Sequence, residues 1–402
     1  MESQARPSII IFIIGMLPLL MVLGNSMFIP ILPDIQVAMN LSPVQGGLIL
    51  SAFSIPAAVM IPISGFISAR YGNKQVTLVS LTLIMIGCFA AAIAGVQGAF
   101  EWMIISRLLQ GIGAGGITPI AMILITDLFS GQKRNRALGS LEVFNGVGKV
   151  ISPVIGGIVL SFSWYYSFVV YFAFALFAFF GMYIFIKLKP QTRRKLRFKT
   201  TISQVKLVFS LSWKWLVPIY LAGGIGMFIL FGLLFYLSYD LDRTYLLGGL
   251  EKGLILAIPL SCLTLVSYLT ARKLLDSEDS YKRGIIYGVI YKFIGVCLLI
   301  FTESTFILII GTTLVSIGLG MLLPAASGAI AAVVPSNEKG SIFSFYAMIR
   351  FLGVALGPAV FGLWMNNRDQ MMFSVFFLLN LIVLTLLYSW SCFPVGKTCS
   401  TR

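Results

Sequence analysis

Apolar residues in this chain fall into long runs with few charges. Twelve such runs stand at roughly 9–32, 44–67, 75–96, 102–126, 137–161, 164–186, 214–238, 250–271, 283–302, 305–333, 340–364 and 371–392. Each approaches or exceeds the roughly 20 residues that carry a helix across a bilayer. None shows the two-residue alternation of a barrel strand, and all are too long for one. Several contain Gly and Pro, which spanning helices tolerate better than soluble ones. The run at 9–32 follows a single basic residue, Arg6. It is too long for a signal h-region and lacks a small-residue cleavage site, so it reads as a retained first span. The pattern predicts an all-α integral membrane protein with twelve transmembrane helices.

The runs also repeat. Gly113, Gly115, Pro119, Gly148, Pro153 and Gly157 correspond, at one offset of 205 residues, to Gly318, Gly320, Pro324, Gly353, Pro358 and Gly362. The chain is therefore expected to form two pseudo-symmetric six-helix bundles, 1–186 and 214–402, joined by a linker at 187–213. Duplicated halves of spanning helices are a mark of secondary transporters.

Composition agrees with this reading. Hydrophobic residues make up 58% and charged residues 11%, whereas soluble chains carry about 25% charged residues. That excludes a soluble enzyme. The net charge of +15 would suggest nucleic acid in a soluble protein. Here its distribution gives another explanation. Of 29 Lys and Arg, 22 fall in the termini and even-numbered loops, three in the odd-numbered loops and four inside spans. By the positive-inside rule the even loops and both termini are cytoplasmic, and nucleic acid is not the partner. The stretch Lys187–Lys199 is basic and suited to anionic headgroups. The segment Ile202–Phe209 reads either as a short interfacial helix or as a tether.

Candidate chemistry is sparse. Five cysteines show no ligand spacing, and the chain contains no histidine. No metal site, cofactor motif or P-loop is present, so ATP is not an expected partner. Proton coupling would fall to carboxylates.

Four motifs sit at consistent places on this map. They are Pro30-Ile-Leu-Pro33, Gly65-Phe-Ile-Ser-Ala-Arg-Tyr-Gly-Asn-Lys74, Arg107-Leu-Leu-Gln-Gly-Ile-Gly-Ala-Gly115, and Gly139-x8-Gly148-x3-Ser152-Pro153-x2-Gly156-Gly157. Together they resemble the major facilitator superfamily, and within it the twelve-helix drug:proton antiporters. The resemblance implies a cytoplasmic gate motif at Gly65, Arg70, Gly72 and Lys74, an arginine implicated in proton transfer at Arg107, and an antiporter motif at Gly139, Gly148, Ser152, Pro153, Gly156 and Gly157. Ala69 stands where the family's loop aspartate is expected, and Asn73 where a basic residue is usual. Asp127 is then the candidate partner for Arg70 or Lys74.

Ionisable residues inside spans are costly and usually functional. Five are clear: Arg107, Glu142, Lys149, Lys292 and Arg350. Glu142, Asn145, Lys149, Ser152 and Gly156 are spaced 3, 4, 3 and 4 apart, which places them on one helix face. Glu142 is the one carboxylate well inside a span, because Asp34 and Asp127 lie at helix ends. By the repeat, Arg350 corresponds to Asn145. Arg107 has two readings, a proton-transfer role or a donor to the backbone of the first two spans. Phe228, Phe231, Phe235 and Tyr346 are candidate cavity aromatics, each also suited to packing or lipid contact.

These features point to a proton-coupled exporter of small amphipathic or drug-like compounds, acting in the plasma membrane and expected as a monomer. Uptake, and export of siderophores or lipids, remain alternatives. A membrane sensor or membrane-embedded enzyme is the alternative from another class. The candidate transport residues are Glu142, Arg107, Lys149, Arg350, Asn145 and Asp34. Thiol labelling or reporter fusions at 193–199 should place this linker segment in the cytoplasm; labelling from outside intact cells would overturn the orientation.

Overall fold

The structure, a computed structural model, describes residues 6–187, 198–273, 278–300, 304–334 and 339–389. Much of the basic linker expected at 187–213, and the C-terminal tail, lie outside them.

Thirteen helices occur among the described residues. They are α1 (Pro7–Ser26), α2 (Leu32–Met39), α3 (Pro43–Tyr71), α4 (Asn73–Gln97), α5 (Phe100–Leu128), α6 (Gly131–Leu160) and α7 (Tyr166–Phe185). Then follow α8 (Phe198–Tyr245), α9 (Gly249–Lys273), α10 (Glu278–Ile300), α11 (Thr305–Val333), α12 (Lys339–Trp364) and α13 (Arg368–Ser389). Twelve are long and apolar enough to cross a membrane; α2 is the exception. The chain is a multi-pass membrane protein.

Two boundaries differ from expectation. The first span ends at Ser26, and residues 27–31 form a turn before α2. Pro30 and Pro33 lack the N–H a continuing helix needs, and Pro33 instead sits in the first turn of α2. The segment 202–209, read either as a short interfacial helix or as a tether, belongs to α8, which runs unbroken from Phe198.

Local sequence sets several helix ends. Ser42 caps α3: its hydroxyl accepts from the Gln45 N–H at 3.3 Å, and Gln45 Oε1 accepts from the Ser42 N–H at 2.8 Å. This reciprocal pair satisfies two otherwise orphaned donors. Gly72 closes α3 and opens α4 at φ 97°, a conformation that L side chains rarely adopt.

Contacts divide the chain into two compact units. One comprises Met1–Leu196 with Leu246–Ala257; the other comprises Arg197–Tyr245 with Ile258–Arg402. Helix α9 is thus shared, and Pro259 lies just beyond the division.

Inside each unit the repeat recurs as packing. In the first, α1 packs on α6 and α5 on α3 and α4. In the second, α8 packs on α12 and α11 on α10. The repeated glycines lie at these seams. Gly148 faces Leu19 and Val22 of α1. A Cβ at its counterpart Gly353 would run into the Gly224 carbonyl of α8. A Cβ at Gly115 would run into Ala57 of α3, and one at Gly320 would lie 2.9 Å from the Leu263 carbonyl. Helices in a bilayer associate through such close packing, because lipid supplies no hydrophobic force between them.

Gly115→Val should therefore lower the melting temperature of the purified protein by the equivalent of about 1–3 kcal/mol, the usual cost of overpacking. Gly340, at the start of α12, has no neighbour within 4 Å of a built Cβ. Gly340→Val should shift melting far less, and equal shifts would refute the packing argument.

Candidate functional site

Arg107 lies in α5 and is fully buried. Its Nε donates to the Ile49 carbonyl at 3.1 Å, Nη1 to Gln110 Oε1 at 2.7 Å and Nη2 to the Gly24 carbonyl at 2.7 Å. The guanidinium carbon stands 4.4 Å from the Phe28 ring centre and 4.6 Å from that of Phe53. One side chain thus ties α1, α3 and α5 together through charge-assisted hydrogen bonds and cation–π contacts. This is the backbone-donor arrangement, one of the two readings open from sequence. Close by, Asn25 donates from Nδ2 to Ser54 Oγ. Asn25 Oδ1, Gln110 Nε2 and Tyr171 Oη are buried without a hydrogen-bond partner.

The predicted polar face of α6 is present. Glu142 is exposed, Asn145 and Lys149 are half-buried, and Ser152 is buried. Asn145 Oδ1 has no hydrogen-bond partner. Ser152 donates back to the Gly148 carbonyl, so its hydroxyl is satisfied within the helix. Glu142 and Lys149 are seven residues apart, about 10 Å along the axis.

The far end of α6 makes the closest backbone contacts. A Cβ at Gly156 would run into the Met27 carbonyl, and one at Gly157 into that of Gly249. A Cβ at Gly253 would run into the Pro153 carbonyl. The first half of α9 is therefore seated on the antiporter-like motif, within the first unit. Gly139, by contrast, has open space around it, so packing does not explain that motif position.

Beside this seam Lys252 Nζ meets Asp34 Oδ2 at 3.0 Å. The Lys252 side chain is 1% exposed and that of Asp34 36%. Sequence reasoning missed Lys252 and counted it as a loop residue. The available signal was its position four residues into α9, where an apolar run begins.

At the motif between α3 and α4 the expected pairing of Asp127 with Arg70 or Lys74 is corrected. Asp127 Oδ2 accepts from Asn73 Nδ2 at 2.8 Å. Lys74 instead donates to the carbonyls of Tyr183 and Ile186 at 2.9 and 2.7 Å, holding the end of α7. Arg70 lies over the ring of Tyr71 at 5.4 Å. The asparagine that departs from the family's pattern thus reaches the carboxylate that a longer base was expected to take. Gly65 has open space around it.

In the second unit, Lys292 of α10 is 1% exposed, and its Nζ has no hydrogen-bond partner. Arg350 of α12 is half-buried, with its guanidinium 5.4 Å above the Tyr346 ring. Phe231 and Phe235 are packed into the core. Phe228 lines an apolar cleft of about 550 Å³ with Trp364, Phe373 and Phe377.

Asp34, Glu142, Asn145, Lys149 and Arg107 are therefore distributed through the first unit, with Asp34 joined to Lys252. Arg350 belongs to the second. Twelve apolar spans in two repeated units, with polar groups carried on their helix faces, describe a secondary membrane transporter. The Major Facilitator Superfamily sequence model matches residues 14–277 and 250–398, and the chain belongs to that family.

A relative named bacillibactin exporter, from Bacillus subtilis, is 37% identical over 90% of this chain and 91% of its own length. Quinolone resistance protein NorA of Staphylococcus aureus is 22% identical over 87% of this chain and 89% of its own. The structure of a D-xylose–proton symporter superposes with TM-score 0.75 at 15% identity, covering 97% of this chain and 99% of that one. The human organic anion transporter MFSD10 gives TM-score 0.70 at 18% identity, covering 96% and 100%. At these identities the two structures show a shared fold.

The ion pair generates an asymmetric prediction. Asp34→Asn removes the carboxylate that a buried ammonium meets, whereas Lys252→Met leaves a carboxylate that water partly screens. Asp34→Asn should therefore lower the melting temperature of purified protein more, by roughly 1–3 kcal/mol equivalent. The exchange Asp34→Lys with Lys252→Asp should recover part of the loss. If both single variants melt like wild type, the pair does not hold this seam.

Proposed function

We propose that this chain is a proton-coupled exporter in the cell membrane, with both termini in the cytoplasm. It expels small amphipathic compounds, siderophore-type chelators among them, by alternating access of the halves 1–186 and 214–402 about the linker 187–213. A monomer suffices, and protons rather than ATP supply the energy.

The observation that carries this reading is the face of α6. The helix bearing the antiporter-like motif also presents Glu142, the sole carboxylate well inside a span. Glu142 is exposed on the first unit. The chain has no histidine, which removes the usual proton shuttle. In this reading Glu142 carries the coupled proton. Lys149 sets its protonation, Lys149 or Arg350 holds an anionic part of the substrate, and Asn145 extends the polar face. Asp34 with Lys252 ties α9 to α2. Arg107, its donors engaged, keeps α1, α3 and α5 in register around this machinery. The relatives named for bacillibactin export and quinolone resistance support export over uptake, and the first favours a siderophore-type substrate.

Inside-out vesicles loaded with this protein test the proposal, with bacillibactin and ethidium as probes. Uphill accumulation driven by a pH gradient should collapse on adding a protonophore. Uphill transport supported by ATP alone, with the protonophore present, would refute it. Glu142→Gln keeps shape and hydrogen bonding but cannot ionise. It should insert normally and lose uphill transport by at least tenfold, while downhill exchange persists. Wild-type uphill rates with unchanged pH dependence would remove Glu142 from the coupling step.

A further inference from the structure

The second unit buries a pair of polar groups that no described residue satisfies. Tyr346 of α12 is 1% exposed, and its hydroxyl has no hydrogen-bond partner. One turn further on, Arg350 has a buried Nε, likewise without a partner. Its guanidinium carbon lies 5.4 Å over the Tyr346 ring. Arg350 makes no ion pair among the described residues. A cation–π contact of this kind is weak. That is too little to compensate a guanidinium midway along a spanning helix, where residues of this kind are functional by default.

The surroundings hold both groups in place. Tyr220 of α8 lies against Tyr346, with ring centres 5.3 Å apart and planes 42° apart. The Tyr220 hydroxyl donates to the Ile342 carbonyl at 2.6 Å, so it is already committed. A Cβ at Gly223 would stand 2.8 Å from the Tyr346 hydroxyl. Glycine at this position lets the phenol lie against the α8 backbone. The phenol is thus positioned by Tyr220 and Gly223, and Arg350 is positioned over the phenol.

The chemistry of the orphaned atoms selects the ligand. Arginine offers donors only, and a phenol hydroxyl donates one hydrogen. The missing partner is therefore an acceptor, and beside a fixed cation it is an anionic one. Nε–H with the neighbouring Nη–H forms a side-on fork that matches two adjacent oxygens in one plane. The Tyr346 and Tyr220 rings add flat apolar surface next to that fork.

We infer that Arg350 and Tyr346, backed by Tyr220 and Gly223, form a recognition subsite for a planar aromatic anion carrying two adjacent oxygens, of the aryl-carboxylate or catecholate class. This deepens the exporter reading and rests on it for the subsite's place in transport. It does not depend on which ion drives the cycle.

Binding to the purified full chain in lipid nanodiscs provides the test, followed by calorimetry or tryptophan fluorescence. The probes are salicylate, its neutral isostere salicylamide, and the cation benzyltrimethylammonium. Wild type should bind salicylate saturably and at least tenfold more tightly than either of the others. Arg350→Gln should abolish that preference. Arg350→Lys should restore only part of it, since an ammonium lacks the fork. Tyr346→Phe should weaken salicylate about tenfold while leaving salicylamide within threefold.

Equal affinity of wild type for salicylate and salicylamide would overturn the inference. So would an Arg350→Gln protein that keeps the wild-type ratio. Should Arg350→Gln fail to fold, Tyr346→Phe decides, because it removes a single oxygen; an unchanged ratio in that variant overturns the proposal. Protonophore-sensitive export that persists without any salicylate preference would retain the exporter reading and discard the subsite. A salicylate preference without proton-driven export would do the reverse.

Discussion

In a bilayer core there is no water to press helices together, so their association depends on how closely two backbones can approach. That constraint organises this protein. The seam between α8 and α12 runs through glycines whose missing side chains admit a neighbouring backbone, and at the seam between α1 and α6 Gly15 admits the Phe144 ring. The first half of α9 docks on α6 in the same way, through Gly157, Gly249 and Gly253. Everything polar is arranged around these seams. Ser152 sits inside one and turns its hydroxyl onto its own helix. Lys252 lies one residue from Gly253 and reaches Asp34. Tyr346 reaches Gly223 across another.

The duplicated halves share this packing but differ in how they handle charge. In the first unit Arg107 gives all three kinds of guanidinium nitrogen to protein acceptors. By the 205-residue offset its counterpart is Thr312, which is buried and has no hydrogen-bond partner. The buried cation of the second unit comes instead from Lys292, whose counterpart in the first unit is Gly87. Its stem crosses Gly318, the repeat of Gly113, and its Nζ has no acceptor among the described residues. Duplication has preserved the glycines that fix helix spacing, while the ionisable groups have diverged. A transporter of this family needs two similar bodies. It does not need them to bind the same things.

Family membership and the α6 motif frame the function, and two features of this chain refine it. Asn73 stands where a basic residue is usual and pairs with Asp127. The motif therefore keeps a link to that carboxylate through an uncharged donor. Arg350 and Tyr346 leave buried donors without a partner among the described residues, the ground on which an acceptor brought by the substrate is proposed.

Span number, helical class and duplication were legible in the sequence, because hydropathy and the bilayer's demand for satisfied backbone groups leave one architecture for twelve long apolar runs. The shared face of Glu142, Asn145 and Lys149 was legible too, since helical periodicity alone places them together. Partnerships were not. Lys252 and Asp34 are 218 residues apart, and no local rule joins them. Lys74 turns to the end of α7 rather than to Asp127, a choice set by which carbonyls lie within its reach. Periodicity within one helix dictates which way a residue points. Which residue answers it depends on the approach of other helices, and backbone contacts distant in sequence decide that approach.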